Sequence, residues 1–331
     1  MINDIIPHLN KIVSMIETAR QNTLSNINTE LIKLYWNVGE YLSKETANSS
    51  WGDSLVELLA DQIKVDYPEI KGFNRRGLYR MRQFYEAYKD NEFVSALLTQ
   101  ISWTNHLLIL SGTKTPEEKE FYIKLSIKEK YSSRELERQI DSAYFHRFML
   151  SEKKLEPVPI KKRTKSHFMD TYILEFMDLP KIYTEKEFQK AIIRNLKDFI
   201  LEIGKDFTFI GEEFRVQVAN SDYYIDLLFY HRGLSCLVAF ELKIDKFKPE
   251  YVGKMDFYLE ALDRDVRKPN ENPSIGVILC ASKEDEVVEY AMSRNISPTM
   301  ISEYNLKLID KKVLEQKLRE YKVLLPDETE E

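Results

Sequence analysis

Cysteine is nearly absent: Cys236 and Cys280 are the only two, each inside an apolar run with no second cysteine beside it. That spacing offers neither a disulfide framework nor a zinc knuckle, and it suits a reducing cytoplasm, where a lone cysteine is a small core residue. Five histidines (His8, His106, His146, His167, His231) share no metal-ligand spacing. His106, with Trp103 in SWTNHLL, reads as core, and His231 at an expected hairpin tip reads as solvent-exposed. No phosphate-binding glycine loop is found, so ATP is not implied. No run of eighteen apolar residues exists, so no membrane span is expected. The start, MINDIIPHLNKIV, lacks a basic leader with a continuous apolar stretch, so no export signal is expected.

A basic excess is also missing. The net charge is −6, which taken alone argues against a nucleic-acid partner. Net charge misleads when charge is segregated, and here it is. Residues 71–82 hold Lys71, Arg75, Arg76, Arg80 and Arg82 with no acid, and residues 153–165 hold six basic residues, Lys161, Lys162 and Arg163 among them, against Glu156 alone. These two islands are candidate phosphate contacts, Arg76 and Arg80 lying off the apolar stripe Leu78, Met81, Tyr85 and Tyr88 of one helix.

The chain divides near residue 150 into a helical domain (1–150), a basic, proline-containing linker (151–167) and an α/β domain (168–325). In the first part Leu31, Leu34, Tyr35, Val38 and Leu42 recur at helical steps, a second helix runs from Leu55 to Val65, and a third follows Asn74. Thr115-Pro116-Glu117-Glu118 and Ser132 with Glu135 are helix starts. After the linker, Thr184 and Glu187 open a helix expected to run to Ile203. Then FTFIGEEFRVQV, YYIDLLFYH and LSCLVAFELKI read as three strands, the last two a hairpin. A helix over 249–262, a strand SIGVILCA, a helix over 284–293 and a short strand at 299–302 complete an α/β sandwich.

The chemistry-bearing feature is Asp226 with Glu241-Leu242-Lys243. Residues two apart on a strand face one side, so Glu241 and Lys243 project together. An E-x-K triplet alone is common and mostly marks an exposed ion pair. Here the neighbouring strand also carries a carboxylate within an apolar run, which is costly without compensation. A divalent ion compensates two carboxylates; Mg²⁺ prefers such oxygens, polarises a phosphoryl oxygen and lowers the pKa of a bound water, while a lysine positions or deprotonates that water or stabilises developing charge. One tension remains: a symmetric hairpin about Arg232 sets Asp226 opposite Val238 and Glu241 opposite Tyr223, an offset on the order of 10 Å along the strands. Twist, a bulge or strand divergence near Asp226 must close it.

This D…E-x-K hairpin, with a helix before it and a helix–strand unit after it, resembles the PD-(D/E)XK nuclease superfamily. More narrowly, nearly all of 1–310 is similar to bacterial YhcG-type proteins, through FIGEEFRV, DYYIDLLFYHRGLSCLVAFELKIDKFKPEYVGKMDFYL and NPSIGVILCASKEDEVVEYA, and through LYWNVGEYL, LYRMRQFYEAY and SWTNHLLIL. The resemblance implies an α+β two-domain protein: an all-helical, DNA-binding N-terminal domain and a restriction-endonuclease-like α/β sandwich with a mixed central sheet. It implies cleavage of DNA with Mg²⁺, for which Mn²⁺ can stand in, with Asp226 and Glu241 as metal ligands and Lys243 as their catalytic companion. The first-helix acid of the superfamily falls at Gln189, with Glu187 nearby. Glu213 stands where similar chains carry Gln, Lys254 where a polar helix residue faces the site, and Tyr258 either lines the groove or packs in the core. A catalytically inactive nucleic-acid-binding or adaptor protein on the same fold is the alternative. Cutting both strands usually takes two active sites, which makes a homodimer compatible.

Overall fold

The computed structural model of the chain describes residues 27–47, 54–90, 97–154 and 167–324. They separate into two compact units, Met1–Ile140 and Asp141–Glu331.

The first unit is helical. Helix α1 covers 27–47, α2 Ser54–Asp66 and α3 Arg75–Tyr88. Then come α4 Trp103–Gly112, α5 Pro116–Glu129 and α6 Ser133–Asp141. The expected caps are in place. Asn74 accepts from Gly77 N at 2.9 Å and Thr115 from Glu118 N at 3.2 Å, with Pro116 at the first helical position. Ser132 and Glu135 satisfy each other's backbone N–H groups. These contacts pair the orphan donors of each first turn. Leu42, Val56, Ala60, Leu78 and Met81 form the core where α1, α2 and α3 meet. Gly39 lets two helices approach, since a Cβ there would lie 2.1 Å from the Met81 carbonyl oxygen. His106 is buried, and one ring nitrogen meets the Leu98 carbonyl at 2.8 Å.

The second unit opens with α7, Tyr144–Lys154. Residues 151–154 are therefore helical and not linker, and 155–166, with Lys161, Lys162 and Arg163, lie outside the described residues. A six-stranded mixed sheet follows: β1 Thr171–Ile173, β2 Phe207–Val218, β3 Ser221–His231, β4 Cys236–Leu242, β5 Ile275–Cys280 and β6 Thr299–Asn305. Its order is β1-β6-β5-β4-β3-β2. β2–β3 and β3–β4 pair antiparallel, and the other neighbours pair parallel. The helices are α8 Glu185–Arg194, α9 Leu196–Ile203, α10 Glu250–Ala261, α11 Asp285–Met292 and α12 Lys311–Leu324. The single helix expected to Ile203 is two, broken at Asn195, whose side chain bonds back to the Ala191 carbonyl.

Alternation along the strands builds two cores. Phe188, Ala191, Ile192 and Phe199 of α8 and α9 cover Leu227, Phe229, Val238, Phe240 and Val277. Val252, Met255, Tyr258 and Leu259 of α10 cover Ile225, Leu228, Leu237, Ala239 and Ile278 on the other face. All seven residues of β4 are buried. This strand, covered on both faces, carries Glu241. No helix among the described residues is long and apolar enough to cross a membrane.

Candidate active site

The hairpin turn decides whether the carboxylates meet. β3 and β4 pair from His231↔Cys236 to Leu227↔Phe240, and the turn occupies Arg232, Gly233, Leu234 and Ser235. One step beyond Leu227↔Phe240 this register sets Asp226 opposite Glu241, where a turn centred on Arg232 sets Val238. Turn length, with Ser235 held at φ 51, removes most of the expected offset. The longer turn also buries His231: the ring lies among His167, Phe168 and Phe207, and its Nδ1 accepts from Leu234 N at 3.1 Å. The expectation of an exposed histidine at the tip is therefore wrong; the tip begins one residue later.

The strand is also distorted at Asp226. Ile225 packs in the α10-side core and Leu227 in the α8-side core, although residues two apart in a regular strand share a face. Pairing with β2 passes from Glu212↔Leu227 to Phe214↔Ile225 and skips Glu213 and Asp226. Glu213 sits at φ 44, a left-handed conformation that a non-glycine residue adopts at a cost. The turnover at Asp226 frees its carboxylate from the ladder and aims it at β4. There Oδ2 accepts from Leu242 N at 2.7 Å, while Gln189 of α8 donates to the Asp226 carbonyl at 2.8 Å.

Glu241 is wholly buried. Its Oε1 accepts from Lys254 of α10 at 2.5 Å and lies 3.0 Å from Lys243 Nζ, and its Oε2 has no hydrogen-bond partner. A buried unpaired carboxylate oxygen costs free energy, so something outside the chain is the natural partner. Burial pushes the Asp226 carboxyl up, and the Glu241 charge pushes further, to about 6, against the opposing Leu242 N–H and Lys254 and Lys243 charges. Lys243 is held well above the usual lysine range: burial lowers it, but the Glu241 and Glu185 carboxylates outweigh that. Burial likewise lowers Lys254, and its bond to Glu241 more than offsets this.

Among the described residues no group of three His, Cys, Asp or Glu side chains converges. Asp226 and Glu241 are the two carboxylates that the hairpin brings near each other, and they could supply two donors to an ion. Two carboxylates with an unpaired buried oxygen fit a hard ion such as Mg²⁺, which keeps several waters of its own.

The other candidates divide. Lys254 joins the centre, and Tyr258 lies beneath it, its ring 5.4 Å from Lys254 Nζ and its hydroxyl donating to Tyr224 O at 2.7 Å. Glu187 does not join: its carboxylate accepts from Thr184 N and Oγ1 at 2.8 and 2.9 Å and serves the α8 cap, which also lowers its pKa. Glu213 is exposed and lies 4.0 Å from Lys186 Nζ. Glu185 was not singled out in the sequence, yet its two oxygens accept from Lys243 Nζ at 3.1 and 3.0 Å. The available signal was its four-residue spacing from Gln189, which sets both on one helical face. Tyr251, 5.4 Å beneath Lys243 Nζ, was missed as well.

In the first unit, Arg75 pairs with Glu57 at 2.5 Å and Arg82 lies 3.6 Å from Glu86, with both guanidinium groups over Tyr79. Arg76 is exposed and Arg80 half-buried, and neither forms an ion pair among the described residues.

A mixed α/β/α sheet with acids on a distorted hairpin and a lysine two residues after the second acid defines a PD-(D/E)XK nuclease domain. Residues 165–319 match the family described as the YhcG PDDEXK nuclease domain, and residues 11–147 match the DUF1016 N-terminal domain. The chain belongs to the YhcG-type proteins. It is 29% identical over 346 aligned residues to the Escherichia coli (strain K12) protein named "Putative nuclease YhcG", covering 93% of this chain and 92% of that protein. Among solved structures, a repair endonuclease from Pyrococcus abyssi is 15% identical over 39% of this chain and 50% of its own, with a TM-score of 0.26. EndoMS in apo form is 17% identical over 40% and 49%, with a TM-score of 0.25.

The raised Asp226 carboxyl has a measurable consequence. Its value of about 6 lies above the unfolded carboxylate value, so ionising it costs stability as pH rises from about 4 through 6. A cation that needs the ionised form then binds about tenfold more weakly at pH 5 than at pH 7.5. The thermal upshift caused by Mn²⁺ is expected to be large at pH 7.5 and to shrink at pH 5, as scanning calorimetry would register.

Proposed function

We propose that this protein is a divalent-metal-dependent nuclease that hydrolyses phosphodiester bonds of DNA, with Asp226 and Glu241 holding the ion, Mg²⁺ by preference, and Lys243 beside them. The observation that carries this reading is the wholly buried Glu241, with Oε2 unpaired, next to Leu242, whose N–H holds the Asp226 carboxylate. An ion held there would polarise the phosphoryl oxygen and lower the pKa of a water.

The chain's own groups do the remainder. Lys243, anchored by Glu241 and Glu185, stabilises negative charge growing on the phosphate. Lys254 neutralises Glu241 and presents a second cation. Gln189 fixes the backbone at the Asp226 turnover. The helical N-terminal domain binds the nucleic acid, with Arg76 and Arg80 as the phosphate contacts its basic helix offers. Neutralising both to Gln is expected to lower the salt-dependence slope of DNA binding by about 2, read by titrations at several salt concentrations.

The test of the enzyme is incubation of supercoiled and linear DNA with the full chain in Mg²⁺, Mn²⁺ or EDTA. Nicking or degradation is expected with either ion and none in EDTA. DNA binding without any ion-dependent cleavage would instead favour the inactive adaptor.

A further inference from the structure

We infer that Lys186, Lys190 and Arg194 of α8 form a track for the phosphate backbone of the strand being cut, beginning at the catalytic lysine and leading away from it. The inference rests on the nuclease reading for what the track serves, but not for what it binds.

The three cations recur every four residues, so they stand on one helical face. They span eight residues, about 12 Å of helix, which is the axial length of three to four phosphates on one strand. All three are exposed. Lys190 and Arg194 form no ion pair among the described residues, and Lys186 has only Glu213, at 4.0 Å between exposed side chains. Such a pair is weak, and a phosphate displaces it readily. The row borders a cavity of about 260 Å³ lined also by Gln189, Ile193, Glu212 and Glu213. Glu212 and Glu213 of β2 share this lining, so an anion is held on the helix side of it.

Two contacts tie the neighbouring stripe of α8, about 100° round the helix, to the catalytic centre. Glu185, the residue before Lys186, holds Lys243 Nζ. Gln189, between Lys186 and Lys190, holds the Asp226 carbonyl. The track therefore starts within one residue of the lysine's anchor. A merely solvated helix face has no reason to begin there and to keep Lys190 and Arg194 without an ion pair while Arg75, Lys246 and Arg264 elsewhere are paired.

The experiment compares the full chain with a Lys186→Gln/Lys190→Gln/Arg194→Gln variant binding a fluorescent DNA duplex in EDTA, where cleavage does not interfere. The slope of log K against log salt is expected to shrink by two to three, near 0.9 per lost phosphate contact. A control, Lys307→Gln/Lys312→Gln/Lys317→Gln, removes the same charge from exposed positions elsewhere and is expected to leave the slope unchanged. An unchanged slope in the α8 variant, or an equal loss in the control, overturns the track. Should the triple variant unfold, each single substitution carries the same test at a loss near one. Absence of cleavage by the unaltered protein, together with the slope change, would remove the nuclease reading and leave the track standing.

Discussion

Asp226→Asn is expected to abolish ion-dependent cleavage while making the metal-free protein more stable. The two effects come from one carboxylate. Asn keeps an oxygen that can accept from Leu242 N, now met at 2.7 Å by Asp226 Oδ2, so the turnover in β3 survives. It removes a negative charge that burial and Glu241 both disfavour, holding the carboxyl near 6. Relieving a shift of that size is worth on the order of 2–3 kcal/mol at neutral pH. The same charge is half of the donor set proposed for the cation. Losing an ion that contributes several kcal/mol to the transition state slows cleavage on the order of 10³-fold or more. Single-turnover cleavage and thermal melting on one preparation check the two effects, and Mn²⁺ titration calorimetry checks the loss of the ion that links them. A variant that cuts at the unaltered rate would remove Asp226 from the site. One that melts far below the parent would mean that the carboxylate is chiefly a structural cap.

The opposition between stability and activity explains why some of this site could be read in the sequence. A charge inside an apolar strand is unfavourable unless it is used, so Asp226 in YYIDLLFY and Glu241 after LVAF stood out. Strand alternation alone put Lys243 beside Glu241. The register could not be read, because it depends on how many residues the turn consumes. Ser235 adopts a left-handed conformation that a serine does not announce, and the burial of His231 follows from the same turn. Glu185 was hidden because its partner, Lys243, lies 58 residues away and a capping box explains the local sequence without it. Likewise nothing local in the sequence showed that Arg75 pairs with Glu57 on another helix. β1, three residues long, pairs in parallel with β6 from far along the chain and has no pattern of its own. Local periodicity was legible, whereas contacts between distant segments were not.

β1 is also where the largest stability effect is expected. Glu202, near the end of α9, accepts from Ile173 N of β1 at 2.8 Å and from Arg147 of α7 at 2.5 Å, and the ion pair is fully buried. Arg147 reaches the Thr171 and Ser142 carbonyls and the Ser142 hydroxyl with its remaining donors. The two charges thus face each other in a buried pair. Glu202→Ala leaves a buried guanidinium without its counter-charge, and it is expected to cost about 3–5 kcal/mol. For a unit of this size that corresponds to roughly a 10 °C fall in Tm. Replacing both residues by apolar ones, Arg147→Met with Glu202→Leu, is expected to cost less than Glu202→Ala alone, since no charge is stranded. Denaturant unfolding of the two single variants and the double variant closes the cycle. A loss below about 1 kcal/mol for Glu202→Ala, or a double variant weaker than both singles combined, would mean that water enters and solvates the pair. α9 follows α8 at the Asn195 break, and α8 carries Glu185 and Gln189. A loosened Glu202 therefore reaches the active site through one short connection, and the damaged variant is expected to lose cleavage at temperatures below its own midpoint.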